Sequence, residues 1–246
     1  MNISVAMATY QGEKFLEAQL TSIWECLEPG DEIIVSDDGS TDATLSILSA
    51  YVERGCPISI FANKDKAGNT ITNNFVNAIS HCRNPIVVFC DQDDVWQPNR
   101  LAVVRELHSA YDCVVVDGNV VTEDQFTTER IYQRRPPSIS LMRNFYKLSV
   151  LGCQLSFRRS ALLARINVPK DPHITHDWWF YMNALLKGRV LILQESVFGY
   201  RRHGGNASNG IGKSDNPIML RILIRFKMLR HLVLAKGQKP NSEVRA

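Results

Sequence analysis

The chain has 246 residues, of which 45% are hydrophobic and 22% are charged, and its formal net charge is +3. This length and composition fit one large α/β domain, or one domain with a short appendage, and the near-balanced charge gives no reason to expect a nucleic-acid partner. No stretch approaches the roughly 20 uninterrupted apolar residues of a membrane span and no signal peptide is recognisable, so we expect a cytoplasmic protein.

Strand and helix patterns alternate through the first 117 residues. Short apolar runs predict strands at 2–8, 32–36, 58–62, 86–90 and 113–117. The spacing of apolar residues predicts intervening helices at 13–26, from about 42 through 51, at 72–81 and at 100–109. Because the connections are short, this alternation predicts an α/β fold with a mostly parallel sheet and helices on both faces.

Three acids follow the strand predicted at 86–90, namely Asp91, Asp93 and Asp94. Ligands of open α/β sheets bind beyond the carboxyl ends of the strands. Carboxylates crowded there repel one another and suit a hard divalent cation that bridges to phosphate oxygens. Asp94 has an alternative role near the N-cap of the next helix, which Pro98 could open.

A second acidic pair, Asp37 and Asp38, ends the strand at 32–36 and precedes Gly39. Ser40 or Thr41 is expected to cap the following helix, with Asp42 in its first turn. Helix capping does not explain the two carboxylates that precede the glycine. We expect Asp38 to accept hydrogen bonds from a base or from sugar hydroxyls, at the same edge of the sheet as the acids after 86–90.

The regular alternation stops after residue 117. Residues 118–138 are polar and irregular, which predicts a mobile or substrate-facing loop. Further on, the patterns predict a strand at 152–157, a helix at 160–165, a helix from about 175 to 186, and two short strands at 190–193 and 197–200.

Two later clusters combine charged and aromatic residues. Asp177 is flanked by His176, Trp178 and Trp179 at the start of a helix, where aromatic faces could stack on a sugar and the acid could take a hydroxyl proton. The alternative is that the tryptophans are core residues and the acid complements the helix dipole. The run 201–203, Arg-Arg-His before two glycines, suits phosphate binding, and its histidine is also a candidate metal ligand.

The C-terminal segment 213–246 is a basic appendage. It contains eight Lys or Arg and two Asp or Glu, a balance of +6, which leaves −3 for the first 212 residues. Residues 217–235 are rich in Ile and Leu, but their cations do not gather on one helical face, so a clean amphipathic surface helix is not indicated. Peripheral contact with anionic lipid and packing against the body or another subunit both stay open.

Five motifs stand in order: MATYQG at 7–12, DDGSTD at 37–42, DQDD at 91–94, HDWW at 176–179 and YRRHGGN at 200–206. This ordered set resembles the family 2 inverting glycosyltransferases, whose GT-A fold is a Rossmann-like, mostly parallel sheet with helices on both faces. The resemblance spans roughly residues 1–206. The last two motifs are most similar to bacterial rhamnosyltransferases and their relatives in O-antigen or capsule assembly.

The resemblance implies a role for each matching residue. Nucleotide binding would fall to Ala8, Thr9, Tyr10, Asp38 and Asp91, metal binding to Asp93 and His203, and general-base catalysis to Asp177. From their chemistry, we further expect Arg201 and Arg202 to contact the diphosphate, and His176, Trp178 and Trp179 to bind the acceptor. The family often has a glutamate before the base, where this chain has a histidine, so the role of that neighbour does not carry over.

These expectations divide the chain into a GT-A domain at 1–212, with a nucleotide-sugar half at 1–117 and an acceptor half at 118–212, and a basic helical tail at 213–246. The expected reaction is Mn²⁺- or Mg²⁺-dependent transfer of rhamnose or a hexose from a dTDP- or UDP-sugar to a glycan acceptor, expected to be lipid-linked. A nucleotidyltransferase is one alternative, although it should carry a glycine-rich basic loop where residues 9–12 have one glycine. A non-catalytic sugar-nucleotide-binding protein is the other.

Overall fold

The computed structural model describes residues 1–122, 125–204 and 217–236. Within these ranges nine strands form one sheet. The strands are β1 (Ile3–Thr9), β2 (Glu32–Asp37), β3 (Ile58–Ala62), β4 (Ile86–Asp91), β5 (Val95–Trp96), β6 (Cys113–Thr122), β7 (Gln125–Arg130), β8 (Leu155–Arg158) and β9 (Val190–Arg201). The helices are α1 (Leu16–Trp24), α2 (Thr44–Glu53), α3 (Thr70–His81), α4 (Arg100–Leu107), α5 (Ile131–Arg134), α6 (Leu141–Tyr146), α7 (Arg159–Leu163), α8 (His176–Lys187) and α9 (Ile218–Lys236).

The strand order across the sheet is β3-β2-β1-β4-β8-β6-β9-β5, with β7 beside β6. The four strands β3, β2, β1 and β4 run parallel, and so do β6 and β9. Strand β8 joins the two parallel groups by pairing antiparallel with both β4 and β6. The predicted α/β class with a mostly parallel sheet is therefore confirmed.

Hydrophobic cores lie on both faces of the sheet. One core joins alternate residues of β1 and β4 to helices α1, α2 and α4, through residues such as Leu20, Leu48 and Leu101. The other joins the opposite residues of the same strands to α3, α8 and α9, through residues such as Phe75 and Tyr181. Because both faces are covered, β1 and β4 are nearly continuous apolar runs, and every residue of β2 is buried.

The register of the parallel strands brings the acids together. Ala8 at the end of β1 pairs with Asp91 of β4, and Thr9 pairs with Asp37 of β2. The polar residues that follow these three strands therefore lie at one edge of the sheet, as the sequence predicts.

The prediction of an irregular loop over residues 118–138 is wrong. Strand β6 continues through Thr122 and pairs with β7, and α5 follows at once. Buried Asp117 holds this hairpin, because its carboxylate accepts the N–H groups of Gly118 and Tyr132 and forms an ion pair with Arg130. The polar sequence led to the wrong prediction because these polar groups form hydrogen bonds and ion pairs with one another within the fold.

The two short strands predicted at 190–193 and 197–200 are one strand, β9, which runs parallel to β6. Two glycines, one in β6 and one in β9, allow side chains of the neighbouring strand to approach closely. A Cβ on Gly118 would lie 2.7 Å from the Phe198 ring, and a Cβ on Gly199 would lie 2.5 Å from Val121. The predicted strand at 152–157 begins as a 3₁₀ turn over Gly152–Gln154 and becomes β8 only at Leu155.

The capping residues expected for two helices are not the ones found. Helix α2 begins at Thr44, so Ser40 and Thr41 do not cap it, and Asp42 precedes the helix and accepts the Thr44 N–H. Helix α4 begins at Arg100, well after Asp94, which is buried and accepts the backbone N–H of Arg201. Asp94 therefore serves the fold of the acidic turn rather than a helix cap.

The basic tail contributes α9 to the same core as α3 and α8, through buried Ile224, Met228 and Leu232. Residues 213–216 and 237–246 of the predicted tail lie outside the described residues. In the part of the chain that is described, none of the helices has the length and apolar character needed to cross a bilayer. The division of the chain at residue 212 stays a prediction.

The packing of α9 predicts a large effect for Met228→Ala, which empties a fully buried position. We expect the free energy of unfolding to fall by about 2–5 kcal/mol, measured by urea denaturation. Met219→Ala in the same helix is the matched control, since Met219 is 79% exposed and its loss should cost less than about 0.5 kcal/mol. Equal losses in the two variants would contradict the observed orientation of α9.

Candidate functional site

A cavity of about 770 Å³ opens at the carboxyl ends of β1, β2 and β4. Its wall is completed by α3, by the 3₁₀ turn before β8, by the start of α8 and by the end of β9. Nine of its lining residues are Ala8, Thr9, Tyr10, Asp38, Asp91, Asp93, His176, Asp177 and Tyr200. Seven of these nine belong to the predicted nucleotide-binding, metal-binding and catalytic sets, so the structure brings residues from distant parts of the sequence into one place.

The turn after β1 is braced against the turn after β4. The Gln92 side chain accepts the Tyr10 N–H through Oε1 and donates from Nε2 to the Tyr10 carbonyl, both at 2.9 Å. A Cβ at position 12 would lie 2.4 Å from Gln92 Oε1, so a side chain there would push the Gln92 amide out of this clamp. Gln11, with φ of 49°, links the same turn to Thr41 after β2. The three loops therefore form one connected rim.

Asp37 and Asp38 have different tasks. The Asp37 carboxylate folds the turn by accepting the N–H groups of Gly39 and Ser40 and the hydroxyl of Thr9. Gly39 has φ of +91°, a conformation that favours glycine. Asp38 is left to face the cavity, where its carboxylate accepts a hydrogen bond from Asn63 at 2.8 Å and pairs with Lys66.

The acidic turn after β4 concentrates negative charge. Burial and the neighbouring carboxylates of Asp93 and Asp177 raise the pKa of Asp91 to about 7. Burial together with Asp93 and Asp91 raises the pKa of Asp94 well above its usual range. The buried guanidinium of Arg100, held between the rings of Trp96 and Phe198, opposes both shifts.

Asp93 is joined to the end of β9. Its Oδ2 lies 2.8 Å from His203 Nε2, and the His203 ring packs against Phe15 with ring centroids 4.4 Å apart and an interplanar angle of 31°. Arg201 Nε donates to the Asp93 carbonyl, and the Arg201 backbone N–H donates to Asp94. The predicted pairing of Asp93 with His203 at one place is thus present, whereas Gly205 and Asn206 of the same motif lie outside the described residues.

The two predicted diphosphate residues do not line the cavity. Arg201 is buried beneath the acidic turn, with its guanidinium 5.1 Å from the Phe15 ring. Arg202 is exposed, and its backbone N–H bonds the Val121 carbonyl. The observed contacts show Arg201 fixing the shape of the turn, and the diphosphate contacts stay predictions.

The donor atoms at this rim fit a hard divalent cation. One ligand atom each from Asp91, Asp94 and Cys153 lies within 4.8 Å of the others, and buried Asp94 Oδ2 has no hydrogen-bond partner among the described residues. Asp93 and His203 add a carboxylate and an imidazole alongside. Burial raises the pKa of the Cys153 thiol, so the donors are mainly oxygen, which suits Mg²⁺ or Mn²⁺.

Asp177 stands in the first turn of α8 and faces the cavity. His176 beside it is 7% exposed, stacks on Phe75 with ring centroids 4.0 Å apart, and also lines the cavity. Neither of its ring nitrogens has a hydrogen-bond partner among the described residues. The site therefore offers a carboxylate and a neutral, unsatisfied imidazole side by side.

The prediction that Trp178 and Trp179 form an acceptor platform is wrong. Both rings are buried, and their Nε1–H groups donate to the carbonyls of Asn144 and Arg165. The alternative interpretation as core residues is the one the structure bears out. Successive helix positions point in different directions, so only the start of α8 reaches the cavity.

Sequence reasoning missed three polar side chains near the site. Lys66 lines the cavity and Asn63 bonds Asp38, both from the segment after β3 that carries no recognised motif. Arg135 lies close enough to Asp177 for that carboxylate to oppose the lowering of its pKa by burial. The segment of Arg135 was predicted as loop, so only a correct placement of α5 could have revealed it.

Comparison with known proteins identifies the class. The sequence is 25% identical over 217 residues to the dTDP-rhamnosyl transferase RfbG of Shigella flexneri, covering 81% of this chain and 72% of RfbG. It is 28% identical over 221 residues to the uncharacterised glycosyltransferase alr2836 of Nostoc, covering 84% of this chain. The chain spans 66% of the length of alr2836, just under two thirds.

Solved structures show the same fold. The structure of residues 1–349 of Staphylococcus aureus TarS with UDP-GlcNAc matches with a TM-score of 0.65 and 21% identity, over 100% of this chain and 76% of that one. A mannosyltransferase of Pyrobaculum calidifontis, solved with GDP-Man and Mn²⁺, matches with a TM-score of 0.60 and 18% identity, over 94% and 70%. These likenesses define a GT-A fold. The family model for glycosyl transferase family 2 matches residues 4–189, and the chain belongs to that family.

The environment of His176 predicts a pH-dependent stability. Burial lowers the pKa of its imidazole from 6.5 to about 4, so between these values the unfolded chain takes a proton that the folded protein refuses. Protonation of this side chain in the unfolded chain should therefore lower the free energy of unfolding as the pH falls from 6.5 to 4, by up to about 3 kcal/mol, and should have no pH-dependent effect above 6.5. Urea titrations at pH 7 and pH 4 give the free energy of unfolding of wild type minus that of His176→Phe. This difference should fall by the same amount between pH 7 and pH 4, whereas a constant difference would contradict the prediction.

Proposed function

We propose that this protein is an inverting, metal-dependent glycosyltransferase. It moves rhamnose or a hexose from a dTDP- or UDP-sugar to a hydroxyl of a growing, lipid-linked cell-surface glycan such as O-antigen or capsule. The observation that carries the proposal is the meeting of Asp38, Asp91, Asp93 and Asp177 in one cavity at the strand ends. Family membership supports sugar transfer as the reaction.

The donor nucleotide occupies the part of the cavity formed by the first half of the chain. Ala8, Thr9 and Tyr10 line the base pocket, where the exposed Tyr10 ring offers a face for stacking. Asp38 and Asp91 bond the base or ribose. A dTDP- or UDP-sugar is supported by the names of RfbG, a dTDP-rhamnosyl transferase, and of the TarS complex with UDP-GlcNAc.

Asp93 and His203 would hold a Mn²⁺ or Mg²⁺ ion beside the donor diphosphate. When bound, this ion neutralises charge that develops on the leaving nucleoside diphosphate. The Mn²⁺ in the mannosyltransferase complex supports the same use of a metal here. Arg202, which is exposed near the end of β9, adds a cation to the diphosphate, while Arg201 keeps Asp93 in position.

Asp177 is the general base. Its carboxylate takes the proton of the acceptor hydroxyl as the hydroxyl oxygen attacks the anomeric carbon from the face opposite the leaving diphosphate. One bond forms as the other breaks, so the configuration inverts and no enzyme nucleophile is needed. Asp177 lies close enough to Asp91 for its carboxylate to contribute to the raised pKa of Asp91.

The acceptor lies between α8 and the second half of the chain. His176 donates its ring N–H to a substrate hydroxyl, which satisfies an imidazole that otherwise has no partner among the described residues. Residues 118–172 select the acceptor, with Arg135 near Asp177. Donor binding by residues 1–117 and acceptor binding by 118–212 are supported by how the cavity wall is divided.

A nucleotidyltransferase would use similar strand-end acids and a metal. The turn after β1, Thr9 to Gly12, has one glycine and clamps onto Gln92 rather than forming an open phosphate cradle. Product analysis separates the two: released nucleoside diphosphate supports sugar transfer, and pyrophosphate supports the alternative. A non-catalytic sugar-nucleotide-binding protein would release neither product.

Asp177→Asn should abolish sugar transfer and leave nucleotide binding intact, because the amide cannot accept the hydroxyl proton. We expect a loss of about 10²–10⁴ in turnover. The assay screens UDP- and dTDP-sugars with Mn²⁺ for release of nucleoside diphosphate, and calorimetry measures nucleotide affinity. Glu106→Gln, an exposed acid-to-amide change on α4, is the matched control. Near-normal turnover of Asp177→Asn would remove this residue from the role.

His203→Gln should weaken Mn²⁺ binding in the presence of nucleoside diphosphate by at least about tenfold, because the glutamine amide is a poorer ligand than imidazole. Isothermal titration gives the affinity directly. His81→Gln, on α3 and away from the acidic turn, is the control. An unchanged Mn²⁺ affinity in His203→Gln would exclude the imidazole as a ligand, whereas the same weakening in His81→Gln would show a general structural effect.

A further inference from the structure

Helix α9 has two apolar faces, one buried and one exposed to solvent. One face is buried in the core through Ile224, Met228 and Leu232. On the opposite face, seven large apolar side chains are exposed to solvent, including Phe226 at 72%. They are Met219, Ile222, Leu223, Phe226, Leu229, Val233 and Leu234. At 100° per residue these positions fall in one continuous arc of the helix, which is unusual for a helix that already packs on a protein body.

The exposed apolar arc continues onto α6. Arg225 at the edge of the arc donates to the Tyr146 carbonyl, and its guanidinium lies 5.6 Å from the Tyr146 ring. Tyr146 and Met142, one turn apart on α6, are both more than 70% exposed. The combined patch therefore involves two adjacent helices and is larger than scattered surface residues would produce.

The charge of this patch has one sign. Residues 217–236 contain no Asp or Glu, and their cations include Arg221, Arg225, Lys227 and Arg230. Lys227 is paired with Asp171 of the body. Arg230, by contrast, is exposed within the apolar arc, and no hydrogen bond or ion pair to a described residue engages it. A partner that buries these apolar side chains would also bury the Arg230 guanidinium. That partner therefore needs an anionic group next to the arginine.

We propose that the outer face of α9, with the adjoining face of α6, docks on an anionic lipid bilayer. The apolar arc enters the boundary between headgroups and acyl chains, and Arg230 reaches lipid phosphates. A second copy of the chain fits less well, because a self-complementary contact through this arc would bury arginine against a surface that has no acid to pair with it. The helix lies along the membrane surface.

This docking goes beyond sugar transfer and uses no residue of the cavity. The two proposals can therefore fail separately. Deleting α9 would remove the buried side chains of Ile224, Met228 and Leu232 from the core and would confuse loss of docking with loss of folding. Substitutions on the exposed face of the full chain avoid this difficulty.

The test measures binding of the full chain to phosphatidylcholine vesicles with and without phosphatidylglycerol, by flotation. We expect binding to the anionic vesicles, reduced at least about tenfold in Phe226→Glu because the acid is costly to insert and repels the lipid charge. Arg230→Gln should lose binding mainly to anionic vesicles. Leu45→Glu, an equivalent change at an exposed position of α2, should bind as the wild type does.

Failure of the wild type to float with anionic vesicles, or equal flotation of wild type and Phe226→Glu, would overturn the proposal. A second result would also overturn it: wild type is a dimer by analytical ultracentrifugation, Phe226→Glu is a monomer, and neither protein binds vesicles. A second copy of the chain would then cover the arc. Nucleoside diphosphate release in vesicle-free solution should be unchanged in Phe226→Glu, which separates docking from catalysis.

Discussion

Mutual repulsion among carboxylates governs this site. Asp91, Asp93 and Asp94 follow one buried strand, and Asp177 faces them from α8. Isolated in water, such groups would separate. Here the parallel register of β1 and β4 and the buried Arg100 hold them together, and the raised pKa values of Asp91 and Asp94 reflect the cost. A site that concentrates negative charge in this way is prepared to bind a cation and, through it, a diphosphate.

The rim of the cavity keeps its shape because each loop is tied to another. Gln92 clamps the turn after β1, Asp37 folds the turn after β2, and Asp93 is held to the end of β9 by His203 and Arg201. The contacts of Gln92 and Asp93 join segments more than 80 residues apart in sequence. Substrate groups therefore meet a preformed surface and little ordering entropy is needed on binding.

The opposite wall depends on the start of α8. Its first turn brings His176 and Asp177 to the cavity, while the following tryptophans and Tyr181 anchor the helix in the core between the sheet and α9. The catalytic carboxylate we propose thus rests on a helix anchored in the core. The outer side of α9 carries a different surface, apolar and basic, that plays no part in this packing.

Local patterns in the sequence were sufficient for the strand–helix order, the parallel sheet and the acids at its edge, because buried parallel strands are continuous apolar runs and their carboxyl ends share one side. They failed where tertiary contacts satisfy polar groups: Asp117 turns a polar segment into the β6–β7 hairpin, and Asp94 bonds β9 rather than a helix start. Which face of a helix is buried was also undecided, so Trp178 and the outer arc of α9 could not be assigned. Side-chain direction and pairing between distant segments belong to the folded molecule, since only there do the competing surfaces meet.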